Sequence, residues 1–333
     1  MTSSRPSPLI SFIVPCYNYG RFLRECVESI LKLEGGYDWE LLLIDDASAD
    51  DTPEIVRSFS DPRIRVVTHP TNLGHARTMN EGLGLARGKF IARIDPDDRY
   101  RPGFLTATVG KFDRFPEVGL VYGDVAMIDE RGQVTAERCD AAHGGRDFKG
   151  NELVRLLERN FICAAAIIAR REAWMQAAPV PEHLAFNDWY FTVMMARQHD
   201  FYYVDDVVAE YRVHDANHHT RIVRNKTEEP SVFWLLDQVF AKPEPRPRLE
   251  KDKQAARRRI YGAHYLDMAN KYFQWNYARD SRRCYLAAVG QRPAYLARPE
   301  VLRRLAATYV DRRWYEASKA VVKSVLGPPR RTP

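Results

Sequence analysis

Leu9-Ile10-Ser11-Phe12-Ile13-Val14 is a short β-rich run that stops at Pro15. The next apolar residues, Phe22, Leu23, Cys26, Val27, Ile30 and Leu31, return in steps of three and four, which marks one face of a helix. The same change of rhythm recurs down the chain. Glu40 to Ile44, Ile64 to Thr68 and Lys89 to Ile94 read as strands, and Arg21 to Leu33, Thr52 to Phe59 and Gly74 to Ala86 as helices. Strands that alternate with helices build βαβ units, so the pattern predicts an α/β fold with a mainly parallel sheet.

The pattern continues as mixed α/β. Pro102 to Phe115 reads as helix, Val118 to Tyr122 and Val125 to Ile128 as strands, and Phe161 to Ala169 as a central strand. Asp188 to Gln198 reads as helix, and Phe201 to Val204 and Val207 to Tyr211 as strands. Ala241 to Leu249 is Pro-rich and charged, the composition of a linker. Helices rich in Ala, Arg and Tyr follow. A hairpin rhythm runs from Ala263 to Pro293, with a fainter echo from Leu305 to Ala317 and Val321. The rhythm is like that of tetratricopeptide pairs, but two copies fall short of the number that stands alone, so packing on the first domain or on another subunit is expected. The expected organisation is an α/β domain over 1–240, a linker over 241–249 and a basic helical region over 250–333.

Charge separates these regions. Residues 242–333 hold 22 Lys+Arg against 8 Asp+Glu, whereas residues 1–241 hold 28 against 36. A basic C-terminal part suits an anionic partner such as a lipid headgroup or a phosphorylated acceptor, with a solubilising surface or a dimer contact as the competing reading. Nucleic acid is disfavoured, because the charges are spread along helices without a known binding motif. No apolar run reaches the length of a membrane span, and Met1 to Pro8 lacks the apolar core of a signal peptide. Five cysteines, Cys16, Cys26, Cys139, Cys163 and Cys284, are odd in number and scattered, which predicts reduced thiols in a cytoplasm.

The fourth strand ends in Ile94-Asp95-Pro96-Asp97-Asp98. Three clustered carboxylates raise one another's pKa unless something positive sits between them, and oxygen ligands suit Mg²⁺ or Mn²⁺ with substrate phosphates completing the shell. Asp-Pro-Asp-Asp is also good turn chemistry, so the motif alone leaves a turn and a metal site both open. An EF-hand is excluded, since Tyr100 and Thr106 stand where that loop needs Gly and Glu. In a parallel sheet, ligands bind at the carboxyl ends of strands. Three such ends carry polar groups: Pro15-Cys16-Tyr17-Asn18, Asp45-Asp46-Ala47-Ser48 and Asp95-Pro96-Asp97-Asp98. Tyr17 offers an aromatic face for a base, Asp45 or Asp46 an acceptor for a pyrimidine N–H or a ribose hydroxyl, and Asp97 a ligand for the metal that clamps a diphosphate. Neither a P-loop nor a Gly-x-Gly-x-x-Gly turn follows the first strand, so a metal must supply the positive charge those loops provide.

In this order the pieces resemble glycosyltransferase family 2, inverting enzymes of the GT-A fold. They are Ser11 to Asn18, Leu43 to Thr52, Asn72-Leu73-Gly74 with Asn80 and Gly82, Ala86 to Ile91, and Asp95 to Asp98 with Pro102. Met79 stands where the family often has Arg. The resemblance implies that Pro15, Tyr17 and Asp46 contact the base, Asp95 the ribose side and Asp97 the Mn²⁺ or Mg²⁺. It makes 9–104 the nucleotide-binding half and 105–240 the acceptor half. Phe186-Asn187-Asp188-Trp189-Tyr190 is similar to the family's acidic pair before a helix, with Asn187 in place of the usual Glu; Asp188 is then the general base, against the alternative of a helix N-cap. Glu210-Tyr211-Arg212-Val213-His214 is similar to the late Tyr-Arg-x-His, which implies His214 beside the metal and diphosphate. His218 and His219 read as solvated loop in preference to a zinc site, and Cys16 and Cys163 as packing residues.

The implied activity is transfer of a sugar from a nucleotide-diphosphate sugar, a UDP-sugar first, to a hydroxyl of a glycan or lipid-linked acceptor in surface-polysaccharide synthesis. The implied setting is the cytoplasm or the inner membrane face, with peripheral membrane contact through the basic helices and a homo-oligomer as further expectations. Two rivals remain: a nucleotidyltransferase making sugar nucleotides, which needs a Gly-rich, Arg-bearing loop after the first strand, and a scaffold acting through its helical tail.

Overall fold

The computed structural model describes residues 8–139, 141–214 and 222–310. They divide into two compact units. One takes the described residues up to Leu156 and from Asn160 to 214; the other takes Leu157–Arg159 and 222–310.

The first unit is built on one mixed sheet in the order β3-β2-β1-β4-β9-β6-β10-β5. Strands β1 (Ile10–Cys16), β2 (Trp39–Asp45), β3 (Ile64–Thr68) and β4 (Phe90–Arg93) run parallel, joined by α1 (Gly20–Leu31), α2 (Thr52–Ser58) and α3 (His75–Leu85). These are the βαβ units that the alternation predicts. Leu23, Cys26, Val27 and Ile30 of α1 bury against Phe12, Val14, Leu41 and Leu43, each contributing about 1.5–3 kcal/mol by leaving water. Helix α3 lies close to β1 because Gly82 has no side chain; a Cβ there would stand 2.7 Å from the Ile13 side chain.

Three strands differ from the expected ones. β6 (Val118–Ile128) is one strand rather than two. β10 (Asp200–Arg212) is likewise continuous, and the Asp205-Asp206 interruption is absorbed as a register shift against β6 between Tyr203 and Val207. The apolar run Phe161 to Ala169 is only partly strand. Ala164–Ala166 form a 3₁₀ turn, and β9 (Ile167–Arg170) then inserts antiparallel between β4 and β6. Two-residue β5 (Arg99–Tyr100) pairs antiparallel with β10, Tyr100 opposite Ala209 and Arg99 opposite Glu210. That pairing folds the Asp95–Asp98 loop back against the end of β10. Helix α4 (Phe104–Arg114) follows β5. Short strands β7 (Val134–Ala136) and β8 (Phe148–Gly150) pair with β6 and β10, and α5 (Leu153–Glu158), α6 (Arg171–Ala177) and α7 (Asp188–Ala196) complete the set.

The second unit is helical: α8 (Glu228–Phe240), α9 (Pro247–Gln274), α10 (Ala278–Gln291) and α11 (Pro299–Ala307). Helices α9 and α10 form the expected hairpin. Ser281 Oγ donates to the Ala269 carbonyl at 2.9 Å, and Tyr285 Oη to Asn270 Oδ1 at 2.7 Å. The expected boundary at 240 shifts, because α8 groups with the helices after it. The Pro-rich stretch is a clasped turn rather than a free linker. Fully buried Lys253 donates to the carbonyls of Val239 (3.0 Å) and Lys242 (2.7 Å) and to Glu244 Oε1 (2.8 Å), and Pro247 already starts α9. Among the described residues, no helix is long and apolar enough to cross a membrane. His218, His219 and the repeat echo at Ala317 and Val321 lie outside the described residues.

Candidate active site

The ends of β1, β2 and β4 share one edge of the sheet, since Cys16 is in register with Asp45 and Ile13 with Arg93. The loops after β1 and β2 are laced together. Asn18 N–H donates to Ser48 Oγ at 2.9 Å, and Ala49 N–H to Asn18 Oδ1 at 2.7 Å. Asn18 and Ala47 both take positive φ to make this fit, 59° and 62°. Pro15 lies inside β1, and Tyr17 just beyond it keeps 45% of its surface exposed, open to a planar group.

Asp45 and Asp46, both buried, are already engaged. Asp45 Oδ1 accepts the Ser48 N–H at 3.0 Å. Asp46 Oδ1 accepts the Leu73 N–H at 2.7 Å and lies 2.7 Å from His69 Nδ1, while Oδ2 accepts the Gly74 N–H at 2.8 Å. Burial works to raise the Asp46 pKa, but His69 and the two amides outweigh it and hold the carboxyl below its ordinary value. Gly74, at φ +87°, supplies the backbone bend this grip needs. Asp46, expected at the base, thus visibly holds the loop that carries Asn72-Leu73-Gly74. Asn80 pins the Val180 backbone from both sides, at 3.0 and 2.9 Å, and Met79 is fully buried core.

The acids after β4 differ. Asp97 (7% exposed) and Asp98 (2%) are buried. Burial pushes both carboxyls up, helped by Asp95 for Asp97 and by Asp97 and Asp95 for Asp98. His214, just beyond β10, brings its Nε2 to 3.0 Å from Asp97 Oδ2, with its ring packed on Phe22 at 5.1 Å between centroids. Asp95 is paired with the Arg93 guanidinium. Among the described residues, no group of three or more His, Cys, Asp or Glu side chains forms a ready-made metal cage. A buried carboxylate beside an imidazole, with two further acids crowding it, nevertheless fits Mg²⁺ or Mn²⁺ bound partly by substrate phosphates.

Asp188 is the first residue of α7, after an N-cap at Asn187, so the N-cap alternative falls to its neighbour. Its Oδ2 accepts from Asn160 Nδ2 at 2.9 Å. It lines one crevice with Arg93, which pairs with Asp95 of the acidic loop. Burial, with the carboxylates of Asp98, Asp95 and Asp188, pushes the Cys163 thiol up. The buried Cys16 thiol is pushed up to about 12, chiefly by burial, so neither thiol is an activated nucleophile.

Two arginines escaped the sequence reading. Arg212, fully buried, donates its Nε to the Asp97 carbonyl (2.7 Å) and its Nη2 to Glu25 Oε2 (2.8 Å), while its backbone N–H binds Asp98 Oδ1 (2.9 Å). It fixes the acidic loop from within. Arg93, at the end of β4, binds both Asp95 and Asn187. Arg212 stood inside the motif that drew attention to His214; Arg93, alone in an apolar strand, carried no other signal than being a charge at a buried position.

Comparison with known proteins agrees with this geometry. Residues 11–175 match the family model described as Glycosyl transferase family 2. The succinoglycan biosynthesis protein ExoO of Rhizobium meliloti is 35% identical over 125 residues, 37% of this chain and 36% of ExoO. The chain thus spans about a third of that curated relative's own length. The structure of S. aureus TarS 1-349 in complex with UDP superposes with a TM-score of 0.63 at 17% identity, over 97% of this chain and 93% of that one. Mannosyltransferase PcManGT from Pyrobaculum calidifontis, in complex with GDP-Man and Mn²⁺, gives 0.60 at 17% identity, over 97% and 89%. Both share the GT-A fold seen here. Residues 11–175 therefore carry a glycosyltransferase family 2 domain.

Proposed function

We propose that this chain is an inverting, metal-dependent glycosyltransferase that moves a sugar from a nucleoside-diphosphate donor, a UDP-sugar first, to a hydroxyl of a glycan or lipid-linked acceptor. The observation that carries the reading is the Asp97–His214 pair, drawn together at 3.0 Å across 117 residues of sequence beside two more acids.

Asp97 and His214 are the residues that would hold Mn²⁺ or Mg²⁺, and the ion would offset the charge that develops on the departing diphosphate. Tyr17 stacks on the base, and Asp45 and Asp95 lie where the nucleoside's polar edge approaches. Asp188 takes the proton from the acceptor hydroxyl as its oxygen bonds to the anomeric carbon. The bond from that carbon to the diphosphate oxygen breaks in the same step, which inverts the configuration. The name of ExoO, a succinoglycan biosynthesis protein, favours a growing polysaccharide as the acceptor class.

The test is thermal shift against UDP, GDP and dTDP and their sugars, with and without Mn²⁺, followed by a transfer assay with the stabilising donor. The reading expects one nucleotide class to stabilise the protein only when metal is present, and a β-linked product from an α-linked donor. Metal-independent binding, or retention of configuration, would overturn it.

A further inference from the structure

Arg93 ends β4 two residues before Asp95 and is only 4% exposed. Its guanidinium reaches in two directions. Nη2 pairs with Asp95 Oδ1 and lies 3.3 Å from His75 Nε2; Nη1 donates to Asn187 Oδ1 at 2.9 Å. Asn187 is itself buried and immediately precedes Asp188. Arg93 and Asp188 also line one narrow crevice, with Trp174 and Phe191. Burial works against this cation, yet the charges of Asp95 and Asp188 outweigh it and hold the group above its ordinary pKa.

We infer that Arg93 is a positioning residue that locks the donor-side carboxylate Asp95 and the start of the base-carrying helix α7 into one unit, with Asn187 as its grip on that helix. The inference rests on the reading of Asp188 as the base. A cation placed only to stabilise a core would have its hydrogen bonds completed. Here Arg93 Nε and Asn187 Nδ2 are both buried without a hydrogen-bond partner among the described residues. Unsatisfied buried donors cost stability, so core stabilisation alone does not account for this pair. The Asn187 amide makes no capping bond to α7 either, so its side chain serves Arg93 and not the helix end. Loosening this link would let the base drift relative to the anomeric carbon without disturbing the groups that grip the nucleotide.

The experiment compares wild type, Asn187→Ala and Asn187→Asp. It reads UDP–Mn²⁺ affinity by calorimetry, and kcat and KM for UDP release from UDP-glucose or UDP-N-acetylglucosamine, whichever the wild type uses. Asn187→Ala is expected to lower kcat by about 10- to 100-fold, the cost of a misplaced reacting group, with UDP–Mn²⁺ affinity within about twofold. Asn187→Asp keeps an acceptor for Arg93 Nη1 and should recover most of the rate. Arg93→Lys should resemble Asn187→Ala, since an ammonium has no second arm for Asn187. If Asn187→Ala keeps the wild-type kcat, loses UDP affinity in step with rate, or is not rescued by Asp, the inference fails while the functional reading stands. A wild type that releases nucleoside diphosphate from none of the UDP-, GDP- and dTDP-sugars overturns the functional reading and this inference with it.

Discussion

The ends of β2 and β4 look alike in sequence: an apolar strand, then clustered aspartates. In the folded chain they are opposites. Asp46 is surrounded by donors, two backbone amides and His69, and its carboxyl is held below its ordinary range. Asp97 and Asp98 are buried beside each other and Asp95; the His214 imidazole, backbone amides and the Arg93 charge answer only part of this, and their carboxyls are pushed up. An acid whose charge is already answered is working for the fold. An acid whose charge is left in excess is a candidate for a functional role, here the proposed hold on a cation.

The sharpest way to break this contrast is to neutralise one acid on each side. Asp97→Asn should lower kcat by about 10³-fold, the upper scale for loss of an electrostatic group at a developing charge. It should also abolish the Mn²⁺ dependence of UDP binding. The melting temperature of the protein without metal should stay level or rise, because a buried, repelled charge has gone. A transfer assay beside a melting curve checks both halves. A melting temperature lowered as much as the rate would mean that Asp97 is structural.

His214→Ala tests the same side more gently. About 10²-fold in kcat is expected, and the double variant with Asp97→Asn should lose little beyond Asp97→Asn alone, because the two act on one ligand. Full additivity in the double variant would separate them and undo the pairing argument.

Asp46→Asn should do the reverse. Its amide would set a donor against the Leu73 and Gly74 N–H groups, and a hydrogen bond to a charged group is worth about 1.5–3 kcal/mol. A fall of roughly 5 °C in melting temperature is expected for a unit of this size, with UDP affinity falling through loop disorder rather than through loss of metal. Unchanged stability with lost UDP binding would instead return Asp46 to the base-contact role implied by resemblance.

How far the sequence anticipates all this depends on the kind of signal. Periodicity is local, so β1 to β4 and their helices are readable directly. The bulge that carries β10 past Asp205-Asp206 depends on its partner β6, and the insertion of β9 between β4 and β6 on pairings with two strands distant in sequence; neither leaves a mark in its own segment. The Asp97–His214 pair was reachable through a motif, because each residue stands in a recognisable run. Arg93 and Arg212 were not, because a single arginine reads as surface until the fold buries it. The linker reading of 241–249 failed for a related reason: prolines break helices in any setting, but the Lys253 clasp that turns the break into a fixed corner lies four residues downstream, inside a helix.

The smallest expected effect follows from the donors around Asp46. His69 sits between Asp46 and Glu81, 2.7 and 2.9 Å from its two ring nitrogens. Burial works against its charge, but the two carboxylates prevail and raise its pKa above 6.5. A histidine with a raised folded pKa adds stability that is complete below the unfolded value and is lost as pH climbs through the folded one. Asp46, with its lowered pKa, adds stability that is kept above pH 3.8 and lost only as pH falls through its own folded value. Between pH 6 and 9 the two therefore separate, and only the His69 contribution changes. Melting curves across that range should show wild type losing stability toward pH 9, and His69→Gln, which starts lower, should lack that part of the slope. Equal slopes in the two proteins would mean that His69 is neutral throughout. The Asp46 charge would then be answered by the two amides alone, and the β2 end would lean toward the condition of the β4 end.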